Sequence, residues 1–249
     1  MSRPAPLPLP AEETLRFLER VLPPAPARVL EVGCGDGRVA AALATRGYTV
    51  TGLDESAALG AEAASAPVTW VESDFLFYGG AADGTPFDSI VFTRSLHHVS
   101  PLDRALERAA ALLRPGGVFA AEEFAFDRVT LPTARWWYDV ESILVAAGLL
   151  TAPDPALAAV RNPLGRWKQE HAHDPPLPTG HDMLAAVRGR FESGPAEEAP
   201  YLYRYAHERA VPGPAAENAV RQLFEIESRL LRERDIAAAG LRIVAVRPA

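Results

Sequence analysis

The residues Val29-Leu30-Glu31-Val32-Gly33-Cys34-Gly35-Asp36-Gly37 concentrate the chemistry of this chain. Val29, Leu30 and Val32 suit a strand buried on both faces. Glycine at three alternate positions lets the backbone turn sharply and approach a ligand where a side chain would collide. A helix beginning near Gly37 would point its free amides into that turn, which suits an anionic group. Glu31 and Asp36 place carboxylates beside the turn. Asp54, twenty-one residues after Gly33, offers two acceptor oxygens. Plainer roles exist for the same residues: a strand-to-helix turn without a ligand, and Asp54 as a helix cap ahead of Ser56.

Other reactive side chains recur along the chain. Asp74 follows an apolar run and precedes Phe75, and a lone Asp after a strand suits a turn as well as a ligand contact. His97 and His98 are adjacent candidates for a general base. His171 and His173 form an HxH pair, but a third ligand is missing and no metal is expected. Cys34 is the single cysteine. That excludes an intrachain disulfide framework, a CxxC zinc site and a cysteine-ligated cluster. Within the glycine turn Cys34 reads as a small residue offering its backbone.

These residues need elements to hold them. Glu12 to Leu22 has helical spacing and ends at Pro23-Pro24. Strands are expected at Arg28–Val32, Tyr48–Leu53, Val68–Val71, Phe87–Phe92 and Val118–Phe124. Helices are expected at Val39–Arg46, at Ser56–Ser65, and from Ser100 to about Leu113, with Ser100 as N-cap and Pro101 in the first turn. Arg114-Pro115-Gly116-Gly117 reads as a turn. Strands alternating with helices predict an α/β fold, a doubly wound and mostly parallel sheet whose ligands bind at the C-terminal strand ends. Asp54, Asp74 and His97-His98 all fall at such ends.

In order, the glycine turn with Glu31 and Asp54, the stretch FDSIVFTRSLHHVSP and the stretch LLRPGGVFAAEEF resemble the class I S-adenosylmethionine (SAM) dependent methyltransferases of the small-molecule type over residues 28–124. The spacing is GxGxG, not the GxGxxG of dinucleotide dehydrogenases. AAGLRIVAVRP resembles the family's final antiparallel strand, at Leu241–Val246. The resemblance implies SAM as cofactor and S-adenosylhomocysteine as product. The cofactor-binding residues it implies are Glu31, Gly33, Cys34, Gly35, Asp36, Gly37, Asp54, Glu55, Asp74, Phe75, Thr93 and Arg94. His97 and His98 lie on the loop that borders the methyl group in this family. Thr93-Arg94-Ser95-Leu96 stands where enzymes of nucleobase or glutamine nitrogens carry an NPPY-like motif.

One domain over 1–249 is expected, with a SAM-binding core at 11–126, a lid at 127–180 and a C-terminal part at 181–249 that completes the sheet. Three of the four Trp residues lie in the lid segment. Insertions after the fifth strand commonly cover the substrate pocket in this family, which points to Trp136, Trp137, Tyr138, Trp167, His171 and His173 as substrate contacts. The alternative is a packing layer over the sheet. A helix is expected at Trp136–Gly148, a strand or hairpin arm at Tyr201–Tyr205, and an amphipathic helix over Ala215–Ala239.

A chain of 249 residues can bury an ample core without staples. Its net charge of −7, with no dense Lys/Arg run, lacks the electrostatic footprint of a nucleic-acid binder and favours a small-molecule substrate. Residues 1–10 read as a Pro-rich tail rather than a signal peptide, and no apolar stretch is long enough to span a membrane. A cytoplasmic monomer or homodimer is expected. The alternative function is a noncatalytic SAM-binding subunit of the same fold.

Overall fold

The computed structural model describes residues 7–56 and 58–249. Helix α1 (Leu9–Val21) has proline in its first turn, where a missing N–H leaves no bond unmade, and buries Leu15, Phe17 and Leu18. It begins before the expected Glu12, so Leu9 and Pro10 are buried helix rather than tail; residues 1–6 lie outside the described residues. Val29, Leu30 and Val32 of β1 (Arg28–Val32) are each at most 2% exposed, as a strand covered on both faces requires. Gly37, at φ +77°, joins β1 to α2 (Arg38–Thr45), and β2 (Thr49–Asp54) follows.

The helix expected at Ser56–Ser65 shrinks to α3 (Ala61–Ala64). Local bonds compete with it: Ser56 N–H donates to the Asp54 carboxylate and Gly60 N–H to the Asp36 carbonyl. Next come β3 (Val68–Glu72), β4 (Phe87–Thr93), α4 (Leu102–Leu112) and β5 (Leu113–Phe124). Helix α4 starts after Pro101 with no side-chain cap, so Ser100 is not its N-cap. The Arg114–Gly117 segment is not a free turn. It is the first part of β5, because Gly116 N–H donates to the Arg247 carbonyl and Arg247 N–H to the Gly117 carbonyl.

The remaining elements are α5 (Leu131–Ala146), α6 (Pro155–Ala158), α7 (Pro163–Glu170), α8 (Gly180–Arg190), β6 (Glu192–Ser193), β7 (Glu197–Ala199), α9 (Leu202–Glu208), α10 (Pro214–Glu233) and β8 (Gly240–Val246). The expected strand at Tyr201–Tyr205 is instead α9. Its first-turn amides, those of Tyr201, Leu202 and Tyr203, all donate to the buried Glu227 carboxylate of α10, which satisfies the donors a helix start leaves open. Burial pushes Glu227's pKa up to about 7 against these bonds.

The sheet runs β3-β2-β1-β4-β5-β8-β6. Neighbours from β3 to β5 are parallel, and β6 runs antiparallel to the C-terminal strand β8. The order reverses between β1 and β4, and such a switch point opens a crevice at the C-terminal strand ends. This is the doubly wound sheet that the alternation of elements predicts. By its internal contacts the chain divides into two compact units. The first holds the chain up to Glu123 with His181–Glu197 and Arg242–Ala249; the second holds Phe124–Gly180 and Glu198–Leu241. Among the described residues no helix is long and apolar enough to cross a membrane.

Candidate cofactor site

At the switch point of the first unit lies a cavity of about 360 Å³. Of the sequence-predicted residues, Gly33, Asp54, Glu55, Phe75, Arg94 and His98 line it. The glycine turn meets it at Gly33 and is held tightly by its own hydrogen bonds. Gly33 and Cys34 N–H both donate to the Leu53 carbonyl, Gly37 N–H to the Cys34 carbonyl, and Gly35 N–H to Asp54 Oδ2 at 2.8 Å. Four amides expected to meet an anion are therefore engaged within the protein. Asp54 Oδ1 takes the Ser56 amide at 3.0 Å, which fixes the carboxylate against the turn. The closest approach is at Gly33, φ +71°, where an added Cβ would lie 2.3 Å from Ser95 Cβ.

Glu31 sits behind the turn at 1% exposure. Its Oε1 accepts from Thr93 Oγ1 at 2.8 Å, whereas Oε2 is buried with no hydrogen-bond partner. Burial pushes its pKa up to about 7, opposed by the Thr93 bond and by the charge of Arg94. Arg94 itself holds φ +66°, a conformation that a non-glycine residue adopts at a cost. Its Nη1 is buried and has no hydrogen-bond partner. Glu31 Oε2 and Arg94 Nη1 are thus both buried without a hydrogen-bond partner, Arg94 on the cavity wall and Glu31 behind it.

The loop after β4 separates the two histidines. His98 is exposed and lines the cavity; His97 is 6% exposed, with Nδ1 2.5 Å from Glu123 Oε2. The other Glu123 oxygen accepts the amides of Ser95 at 3.0 Å and Leu96 at 2.8 Å. Glu123, fully buried at the end of β5, therefore sets the path of this loop, and sequence reasoning missed it. The one signal was an acidic pair, Glu122-Glu123, closing an otherwise apolar strand. Ser95 was missed too, although the Gly33 approach depends on it.

Other expected residues stand elsewhere. Asp74 bonds the Leu76 amide at 2.7 Å in a turn, and Phe75 rather than Asp74 lines the cavity. Asp36 is exposed and paired with Arg38; Gly37 packs on Trp70; buried Cys34 has its thiol pKa pushed up to about 12 by burial and by nearby Glu31 and Asp54.

In the second unit Trp137, Trp167 and His171 line a separate cavity of about 370 Å³. Tyr138 stands behind it, with its hydroxyl on Glu170 at 2.6 Å and Arg166 3.9 Å over its ring. Trp136 is half-buried and His173 exposed, and neither lines this cavity. The helix expected at Trp136–Gly148 is α5, which begins earlier and buries Trp137 and Tyr138. His171 has both ring nitrogens bonded, to the Trp167 carbonyl and the Tyr205 hydroxyl, so the HxH pair is not a matched set.

A parallel sheet with a glycine turn, an acidic residue at the end of β2 and a cavity at the switch point defines the class I SAM-dependent methyltransferase fold. Comparison with known proteins agrees. A family model described as a methyltransferase domain matches residues 8–146. An uncharacterized methyltransferase of Mycobacterium tuberculosis is 36% identical over 179 residues, covering 69% of this chain and 81% of that protein. An S-adenosyl-L-methionine-dependent Diels-Alderase of Talaromyces variabilis is 33% identical over 129 residues, 47% of this chain and 44% of its own length. The solved S-adenosylmethionine dependent methyltransferase from Mesorhizobium loti aligns with a TM-score of 0.56 at 21% identity, over 95% of this chain and 98% of that one. The chain belongs to the methyltransferase-domain family. The cavity suits the cofactor of that class: Glu31 Oε2 awaits a donor, Asp54 faces the crevice, and Phe75 supplies an apolar wall.

Proposed function

We propose that this chain transfers a methyl group from SAM to an O, N or C atom of a small-molecule acceptor, with S-adenosylhomocysteine as the product. The observation that supports this reading best is the convergence of Asp54, Phe75 and Arg94 on one cavity, with the unpartnered Glu31 oxygen behind it. The cofactor, when bound, supplies an electrophilic methyl on a sulfonium.

Asp54, already oriented by the amides of Gly35 and Ser56, uses its remaining lone pairs for the ribose hydroxyls. Glu31 takes the ammonium, and a cation beside it restores the ionised form that burial disfavours. Arg94 takes the carboxylate end, since the turn amides are engaged elsewhere. Phe75 packs against the adenine. His98 is the base where the acceptor must lose a proton, and His97, tied to Glu123, holds the loop. Methyl transfer is a displacement in line with the breaking bond, and alignment alone supplies about 7 kcal/mol or more of the barrier reduction. The reading assigns the chain to the cytoplasm, where SAM is made, as a monomer or homodimer.

The test is incubation of the purified chain with methyl-deuterated SAM and a small-metabolite extract, followed by mass spectrometry. Acceptor-dependent S-adenosylhomocysteine and a metabolite carrying the deuterated methyl are expected. SAM that binds without being consumed across the whole extract would favour the noncatalytic subunit, or a reaction of the kind named for the Talaromyces relative.

A further inference from the structure

The cavity of the second unit is walled by rings. Trp137 and Trp167 are each 2% exposed, and Tyr205 stands with them. The Trp167 indole N–H donates to the Phe126 carbonyl at 2.9 Å, which locks the ring, and His171 stacks on it at 4.0 Å between centroids. His171 adds a flat neutral surface rather than a charge. The Trp167 carbonyl can only accept, so Nδ1 carries the proton, and Nε2 receives the Tyr205 hydroxyl at 2.9 Å. Burial pushes the His171 pKa down, which keeps it neutral.

The ionised groups around these rings carry excess negative charge. Glu141, Glu170 and Asp154 line the cavity against one lining guanidinium, Arg209. Arg166 stands behind, 2.8 Å from both Glu141 and Glu170. Counting it still leaves three carboxylates to two guanidinium groups. Glu208 adds negative charge near Tyr205. Aromatic faces attract a cation through their quadrupole, more strongly where water is displaced, and the charge excess repels an anion. A volume of about 370 Å³ is at the small end of ligand pockets, which run from about 300 to 1,000 Å³.

We propose that this cavity binds a small organic cation with an apolar ring, of the arylalkylamine class. What the second unit binds is independent of whether the first unit transfers a methyl group. The discriminating experiment titrates the full chain, by calorimetry and tryptophan fluorescence, with tyramine, tyrosol and 4-hydroxyphenylacetate, which share a body and differ in charge. Tyramine is expected to bind below millimolar concentration and at least tenfold more tightly than tyrosol, with no binding of the acid. Leu157→Trp, which puts an indole into the cavity from the half-exposed helix α6, should abolish tyramine binding. Asp154→Asn retains a side-chain cap for the Ala156 amide and should weaken tyramine several-fold. Both variants should bind S-adenosylhomocysteine and melt like the parent. Tyrosol or the acid binding as tightly as tyramine, no tyramine binding up to millimolar, or unchanged tyramine affinity in Leu157→Trp would each overturn the proposal. Loss of S-adenosylhomocysteine binding by the parent chain would contradict the cofactor reading instead, and the tyramine titration would still be readable.

Discussion

The two cavities have nearly the same volume, about 360 and 370 Å³, yet different materials frame them. In the first unit the frame is backbone: the carbonyl of Leu53 gathers two turn amides, and Gly33 passes so close to Ser95 that no side chain fits between. In the second the frame is side chains, with Trp137 and Glu141 one helical turn apart on α5 and Trp167 and His171 likewise spaced at α7. A backbone frame tolerates almost no added atom. A side-chain frame depends on the atoms already there.

That contrast can be broken by substitution. The largest effect is expected for Trp167→Ala, which removes a ring 2% exposed and its bond to Phe126; denaturant unfolding should show a loss of about 3 to 5 kcal/mol. A loss below about 1 kcal/mol would mean that the rings do not hold the second cavity. Adding a single carbon should act almost as strongly in the first unit. Gly33→Ala combines a left-handed φ with a 2.3 Å collision and should destabilise by about 2 to 4 kcal/mol. Gly35→Ala, with φ +52° and nothing within 4 Å of the new Cβ, should cost about 1 to 2 kcal/mol. Equal losses in the two would refute the close approach to Ser95.

The pH dependence of stability sharpens the comparison at Glu31. Its carboxyl holds a proton to about pH 7 in the folded chain against 4.5 for a free glutamate side chain. Between those values the folded state binds the extra proton, so the contribution of Glu31 is full below about pH 4.5 and falls as pH rises through 7. Relative to Glu31→Gln, the parent chain should lose up to about 3 kcal/mol over that window. A difference that stays flat with pH would show that Glu31 is ionised in the free protein.

Much of the first unit was legible because its rules are local. The glycines at alternate positions, the Asp that ends β2 and the alternation of strands and helices follow from backbone freedom and side-chain periodicity. The strands from β1 to β4 lie within a residue of their expected limits. What escaped depends on partners far along the chain. Glu123 acts on residues of the loop after β4, and the Arg114–Gly117 segment becomes strand because it pairs with Arg247. Tyr201–Tyr205 alternates like a strand, but the carboxylate of Glu227 on α10 turns it into a helix. The aromatic content of the second unit was visible, whereas the choice of Trp137 over Trp136 as a cavity wall required the phase of α5.

A further substitution bears most directly on the cofactor site. Calorimetric titration of S-adenosylhomocysteine into the parent chain and into Asp54→Ala should give micromolar affinity for the parent. The variant should bind more weakly by about 1 to 3 kcal/mol, because charge-assisted bonds to two hydroxyls are lost. Equal affinity in the two proteins would contradict the placement of the cofactor's ribose at Asp54, and no binding by the parent would contradict the cofactor site itself.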